Sequence, residues 1–469
     1  AQAHRLEARL GRAPAHPLVS LHILRPPPLG PTHLRQVLGP PPAMRTAALL
    51  LRALQLPALF LVAETKNLFV RSANLIRREG SFRTEAHAHL HSDFASGHLK
   101  HLYPWYHTSE ELLSEVDRLA GVCNGMLSKR TASDSDVHID VLRVRDASAN
   151  ASNRVFVVFG EHSRELISPE SGLAFLRMLC GEVPPDARGT SGPSPADVLK
   201  DSEFEIVLNG NPRSRLKVED GNFCVRANPD GVDLNRNWDE KWESVAENYL
   251  DANPGPRPFS EPETRIFRQL VTDYKPTTFL TVHSGTRGLY MPWAYDTKHL
   301  ASRNEPSMME ILRGLDEGHC HCPYGAAGKE VGYSCPGTSL DWVYDQLTTP
   351  YAFAFEIYTS PERDMELSRR WEEKVRLGGT ALLWSGSSLG HPHFLDLFQD
   401  HTSDFVQTAQ HNDMMDGMDE PECFGMFNPP TQESYDATVS NWAVAYLEMA
   451  QKVVADMRSR DQVKTRVAD

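Results

Sequence analysis

His162 and Glu165 lie three residues apart in VFVVFGEHSRELISPE, and His283 stands far downstream in TVHSG. An imidazole and a carboxylate on one turn, joined by a distant second imidazole, are a ligand set for Zn2+ that leaves a fourth position for water. The spacing alone decides little, because His4 with Glu7 and His107 with Glu110 repeat it. Taken singly, His283 also fits a structural residue at a strand end. The pair at 162 and 165 is distinguished by its setting. The β-branched and aromatic run at 155–159 reads as a buried strand that Gly160 ends. Ser168, Pro169 and Glu170 then read as the N-cap, first position and first turn of a helix. That places His162 and Glu165 at the carboxyl end of a strand, the edge where open α/β sheets bind ligands.

Three further groups could act with such a site. Glu356 interrupts the apolar strand YAFAFEIY, and alternation puts it on one face with Ala352 and Ala354. A carboxylate there is costly to bury unless it is paired or functional. Arg226 precedes NPDGVDLNRNW, which contains Asn235 and Arg236. Arginine offers a planar fork suited to a carboxylate, although Arg236 would equally serve as an ion-pair partner for Asp233. Tyr333 lies in VGYSCPGTSLDW, a Gly- and Pro-bearing loop able to move.

Positioning these residues requires an alternating framework, and the chain has one. Helical periodicity at 108–121 leads to strands at 137–146 and 154–160, then a helix, then a strand at 203–209. A helix at 260–271 precedes a strand at 277–285. A strand at 351–358 and an amphipathic helix at 433–454 close the pattern. The expected fold class is α/β, a single large domain with a central mixed β-sheet flanked by helices on both faces.

Outside that domain the composition shifts. Residues 1–43 are rich in Pro, Arg and His and read as unstructured or as an extension of the gene model. Residues 44–63 read as a signal peptide with a start Met, a basic residue and an apolar core. Arg52 and Pro57 break that core, so no stable membrane insertion is expected once the signal is removed. Residues 64–103 read as a linker, 104–361 as the main domain, 362–420 as an insertion, 421–457 as the domain's last part, and 458–469 as a tail. A formal net charge of -14 argues against nucleic acid as a partner. The seven cysteines contain no Cys-x-x-Cys, and an odd total leaves at least one thiol free. In an exported chain, a disulfide from Cys320 or Cys322 to Cys335 is expected in preference to a metal tract at 319–322. Asn150-Ala151-Ser152 is a glycosylation sequon, relevant to a secretory or extracellular location.

The blocks GEHSRELI, GVDLNRNW, NPGPRPFSEPET, VHSG and FEIY, in this order and spacing, resemble the zinc metallocarboxypeptidases of the carboxypeptidase A superfamily, in its plant-type branch. The resemblance covers 105–358 and resumes at 422–454. It implies hydrolysis of the C-terminal residue of peptides or proteins, with one Zn2+ per chain on His162, Glu165 and His283. Glu356 would be general base and acid, and Arg226 would stabilise the oxyanion. Asn235 and Arg236 would bind the substrate's terminal carboxylate, with Arg164 an accessory arginine and Tyr333 a mobile tyrosine. Leu340 and Ala294 would line the pocket for the last side chain and favour apolar residues, with Asp296 close enough to reverse that preference. The resemblance also implies a cis peptide at Ser284–Gly285. Two other functions share the motifs. One is a zinc amidase or hydrolase acting on non-standard peptide or cell-wall substrates. The other is a non-catalytic peptide-binding relative, a class that usually lacks a ligand or the glutamate. The chain departs from the family in the insertion at 362–420 and in one extra residue between Asp341 and Glu356. Its 64–103 segment is also too short for a globular inhibitory prodomain.

Overall fold

A computed structural model describes residues 98–183, 192–244, 252–299, 301, 303–366 and 419–468, all within the second of two units, Ile76–Asp469. The segments expected to be a signal peptide and its preceding extension, residues 1–63, lie outside the described residues, as do most of 64–103 and of 362–420.

Eight strands form one mixed sheet: β1 (Leu127–Asp134), β2 (Val137–Val144), β3 (Asn153–Phe159), β4 (Ser202–Val207), β5 (Thr278–His283), β6 (Arg287–Met291), β7 (Tyr324–Ala326) and β8 (Tyr351–Ile357). Their order is β1-β2-β4-β3-β5-β8-β6-β7. The central strands β4, β3, β5 and β8 run parallel. From β3 the chain moves first to β4 on one side and later to β5 on the other. The end of β3 is therefore a topological switch point, where the crevice outside the strand ends is free for a ligand.

Helices cover both faces, and β3 shows how. Successive side chains on a strand point to opposite faces. Phe156 packs on Tyr274 of α5 (Pro262–Tyr274), whereas Phe159 packs on Tyr446 of α10 (Gln432–Ala468). Helix α10 runs along α2 (Ile167–Leu179), and Trp442 of α10 meets Phe355 of β8 on the same face. Full burial of each such apolar side chain contributes about 1.5–3 kcal/mol. Helix α1 (Ser109–Val122) begins with a capping box between Thr108 and Glu111. Helices α3 (Pro195–Asp201), α4 (Pro212–Glu219), α6 (Glu305–Leu315), α7 (Ala327–Val331), α8 (Ser339–Gln346) and α9 (Glu420–Phe427) complete the shell. None of the described helices is long and apolar enough to cross a membrane.

Three local expectations are corrected. Ser168 is not an N-cap: α2 starts at Ile167, and the Ser168 hydroxyl instead accepts from Gly160 N and donates to Val282 O at 2.7 Å. It bonds two strand ends rather than a helix end. The disulfides are Cys123–Cys180, Cys224–Cys423 and Cys320–Cys322, and Cys335 is the free, buried thiol. The Cys335 backbone is bonded to Ala294 O, in the loop after β6, whereas Cys320 and Cys322 bracket the turn that follows α6. The cis peptide lies at Pro292–Trp293, not at Ser284–Gly285.

Candidate active site

Gly160 adopts a left-handed backbone, φ 66°, and turns the chain sharply out of β3. His162 and Glu165 follow on that turn, and His283 is the last residue of the adjacent strand β5. All three are buried. His162 Nδ1 lies 2.7 Å from Glu165 Oε1, and His283 Nδ1 lies 3.1 Å from both Glu165 Oε2 and His162 Nδ1. One donor atom from each residue falls within 4.8 Å of the others. Two imidazole nitrogens facing each other beside a carboxylate present converging lone pairs, and a dication fits them. Burial works against the Glu165 carboxylate, but His162 and His283 outweigh it and hold its pKa below the usual range. Burial likewise opposes the His283 imidazolium, yet Glu165 and Glu161 push it up to about 10. Proton and metal thus compete for the same nitrogen.

The strand register brings Glu356 to this cluster. Phe279, Thr281 and His283 of β5 pair with Ala352, Ala354 and Glu356 of β8, so the last pair stands side by side on one face. This is the α5 face, since Phe279 also stacks on Phe156. Glu356 Oε2 is buried with no hydrogen-bond partner. Its pKa rises to about 7, first through burial and then through repulsion from Glu165. A carboxyl poised near neutrality beside this donor cluster is suited to proton transfer.

Arg226 donates to Asp233 through Nε and Nη2 at 3.0 and 2.9 Å, and its Nη1 lies 3.5 Å from Glu165. Asp233 pairs with Arg226 and not with Arg236, and its other oxygen lies 3.1 Å from His162 Nε2. The pattern of apolar and acidic residues around Asp233 was visible, but this link to His162 was not. Arg236 donates to Asn235 O, and among the described residues no carboxylate lies within ion-pairing distance of it. Asn235 Oδ1 accepts from Ser339 N at the start of α8. Tyr333 is 38% exposed, and its phenol pKa is raised, chiefly by Cys335 and by burial, against the opposing charges of Arg236 and Arg226. Arg226 and Asn235 reach the donor cluster through Glu165 and His283, at 3.5 and 3.4 Å.

Arg164 faces the other neighbourhood. Its guanidinium lies 4.1 Å over the Phe427 ring and donates to Cys224 O. The α9 segment is fastened there by Cys224–Cys423 and by Asn428, which bonds both Ile167 N and Arg164 O. Leu340 and Ala294 are buried and uncharged, 2% and 3% exposed. Asp341 is spent on the backbone N–H groups of Ala294 and Tyr295, each at 2.9 Å. Asp296 caps its own turn through Lys298 N and His299. Sequence reasoning did not single out Glu161, which lies against the far edge of His283; its sole signal was an ionisable residue directly before His162.

The sequence profile of the zinc carboxypeptidase family matches residues 117–376, more than half of the chain. Mouse carboxypeptidase A2 is 26% identical over 265 residues, covering 54% of this chain and 62% of its own length. Pig carboxypeptidase A1 is 27% identical over 280 residues, covering 54% and 63%. The chain thus spans about three fifths of the curated relatives it matches. Among solved structures, thrombin-activatable fibrinolysis inhibitor is similar in fold, with a TM-score of 0.55 and 18% identity over 78% of this chain and 80% of that one. The bovine form, in complex with a tick carboxypeptidase inhibitor, gives a TM-score of 0.50 and 20% identity over 76% and 99%. With the profile spanning the β3 turn, β5 and β8, the chain belongs to the zinc carboxypeptidase family.

Proposed function

We propose that this protein is a zinc-dependent metallocarboxypeptidase that removes the C-terminal residue from peptides or proteins. The observation that carries this is the meeting of three donors, His162, Glu165 and His283, with a half-buried glutamate in register beside them and an arginine, Arg236, that has no carboxylate partner among the described residues. Family membership and the carboxypeptidase relatives support the same activity.

His162, Glu165 and His283 would hold the zinc. The chemistry Zn2+ supplies when bound is Lewis acidity, which brings the pKa of water toward ~7 and polarises a carbonyl. The substrate's terminal carboxylate docks on Arg236 and Asn235, which fixes the last peptide bond beside the donor cluster. Arg226, held by Asp233, presents its remaining N–H groups to the carbonyl oxygen as charge develops there. Preorganised donors of this kind are worth about 3–4 kcal/mol. Glu356 takes the proton from water at its unpartnered oxygen and returns it to the leaving amine. Tyr333 closes over the substrate, and Arg164 serves as the accessory arginine. Leu340 and Ala294 favour an apolar last side chain, because the two carboxylates nearest the pocket, Asp341 and Asp296, are engaged by their own backbone surroundings.

The catalytic domain comprises 104–361 together with 421–457, which the packing of α9 and α10 supports. Three disulfides, the sequon at Asn150 and the signal-like segment favour a secretory or extracellular location. The GEHSRELI and GVDLNRNW blocks favour the plant-type branch. The test is zinc content together with hydrolysis of an N-blocked dipeptide and of its C-terminal amide. Cleavage of the free acid with the amide spared is expected. Equal cleavage of both, or cleavage of the amide alone, would replace the carboxypeptidase with an amidase.

A further inference from the structure

Both histidines of the donor cluster turn Nδ1 toward Glu165, so each presents Nε2 to its surroundings. For His162 that edge meets Asp233 at 3.1 Å. For His283 it meets Thr281 Oγ1 at 2.8 Å, Glu161 Oε2 at 3.4 Å and, at the same 3.4 Å, the Asn235 amide nitrogen. The Thr281 hydroxyl also donates to Glu161 Oε2 at 3.2 Å. Glu161 is 1% exposed and its Oε1 has no hydrogen-bond partner. No lysine or arginine pairs with it among the described residues. A buried carboxylate with only a hydroxyl and an imidazole edge for company is expensive. A dication on the other side of the imidazole offsets that cost.

We propose that Glu161 is a positioning residue for the metal centre, acting on His283 directly and through the Thr281 hydroxyl. As acceptors, Glu161 and Thr281 fix the tautomer of His283 with hydrogen on Nε2, which leaves the Nδ1 lone pair for the metal. Asn235 could bond Nε2 only by donating to it, but at 3.4 Å that contact is longer than the 2.8 Å one to Thr281, which together with the Glu161 carboxylate favours hydrogen on Nε2. The Asn235 oxygen is taken by Ser339. The centre therefore carries one outer carboxylate per histidine, Asp233 behind His162 and Glu161 behind His283. Such partners orient a ligand and raise its basicity. The two differ in that Asp233 also pairs with Arg226, whereas no lysine or arginine pairs with Glu161 among the described residues.

This role rests on the zinc centre proposed above, and the experiment separates the two. The zinc affinity of the intact protein is measured by competition with a chromophoric chelator for wild type, Glu161→Leu, Glu161→Gln and Thr281→Val. Visible spectra of the cobalt-loaded proteins are recorded alongside. Glu161→Leu should weaken zinc binding about 10–100-fold. Glu161→Gln, which keeps an acceptor but no charge, and Thr281→Val should fall between it and wild type, with altered cobalt bands in each. Affinities and spectra equal to wild type in all three variants would overturn the role and leave the zinc centre standing. If Glu161→Leu does not fold, as judged by near-ultraviolet circular dichroism, the other two decide by the same criterion. A wild type that binds no zinc would overturn the centre itself and this role with it.

Discussion

Glu165 and Glu170 are buried carboxylates five residues apart on the same turn and helix, each beside a histidine, yet they are finished differently. Glu170 closes a network. It accepts from His107 N at 2.8 Å, meets His107 Nδ1 at 2.7 Å, accepts from the Tyr435 hydroxyl at 2.7 Å, and lies 3.8 Å from Arg215. Arg215 in turn holds Glu219, which accepts from Ser109. Every charge meets an opposite charge or a donor, and four helices, α1, α2, α4 and α10, are tied together. Glu165 instead faces two imidazoles whose nitrogens also face each other, and Glu356 nearby has a buried oxygen without a partner. The contrast teaches that burial of charge does not identify a site. A structural network is complete within the chain, whereas a functional one is left incomplete where metal and substrate belong.

The comparison can be broken by experiment. Glu356→Gln should lower kcat by ~10²–10⁴ while zinc content and fold persist. Retained turnover would place the base elsewhere and remove the meaning given to the unpartnered oxygen. Chelating zinc should lower stability by about 2.7 kcal/mol relative to protein in a hundredfold excess of zinc over its Kd, and urea unfolding with and without chelator measures this. No shift would make the Glu165 cluster as self-sufficient as the Glu170 one. Glu170→Gln should cost about 1–3 kcal/mol of stability, because it breaks a buried network. It should leave kcat/KM within about twofold of wild type, the signature of a structural network. A large loss of activity in a folded variant would join the two clusters functionally. Peptides ending in Phe or Leu should be cleaved about tenfold faster in kcat/KM than those ending in Arg or Lys, from the burial of an apolar side chain beside Leu340 and Ala294. The reverse order would point to Asp296, to be checked by Asp296→Asn.

The smallest effect is a pH dependence. Burial lowers the His107 pKa, but the hydrogen bond and charge of Glu170 outweigh it and leave it raised. A raised histidine contributes stability that is complete below its unfolded pKa of about 6.5 and is lost as pH rises through the folded value. The difference in urea midpoint between wild type and Glu170→Gln should therefore be largest below about pH 6.5 and narrow as pH rises through the raised folded value. A constant difference would mean that His107 pairs with Glu170 as a neutral ring.

Much of the site was legible because its parts are local. A glycine-ended apolar strand followed by His-x-x-Glu reads from one segment, and so does the glutamate in YAFAFEIY. Strand β1, LSKRTASD, was missed because its burial pattern is mostly exposed and it lacks the apolar alternation that marks a strand. Ser168 was misread because a serine before Pro-Glu fits a helix cap equally well, and only packing shows that its hydroxyl joins Gly160 to Val282. The disulfides were misassigned because pairing depends on which loops meet, not on spacing.

The residue types, their order and their attachment to strand ends were determined by the sequence itself, since hydrophobic period and turn chemistry act over a few residues. Which of several buried carboxylates and histidines meet was decided by the tertiary structure. The parallel register of β5 and β8 sets Glu356 beside His283 on one face, and a slip of one residue would turn it to the other. The chain path through β3, β4 and β5 opens the crevice at the end of β3, and long-range contact alone puts Asp233 behind His162 and Glu161 behind His283. Those contacts join residues up to more than a hundred positions apart, and they exist only once the sheet is built.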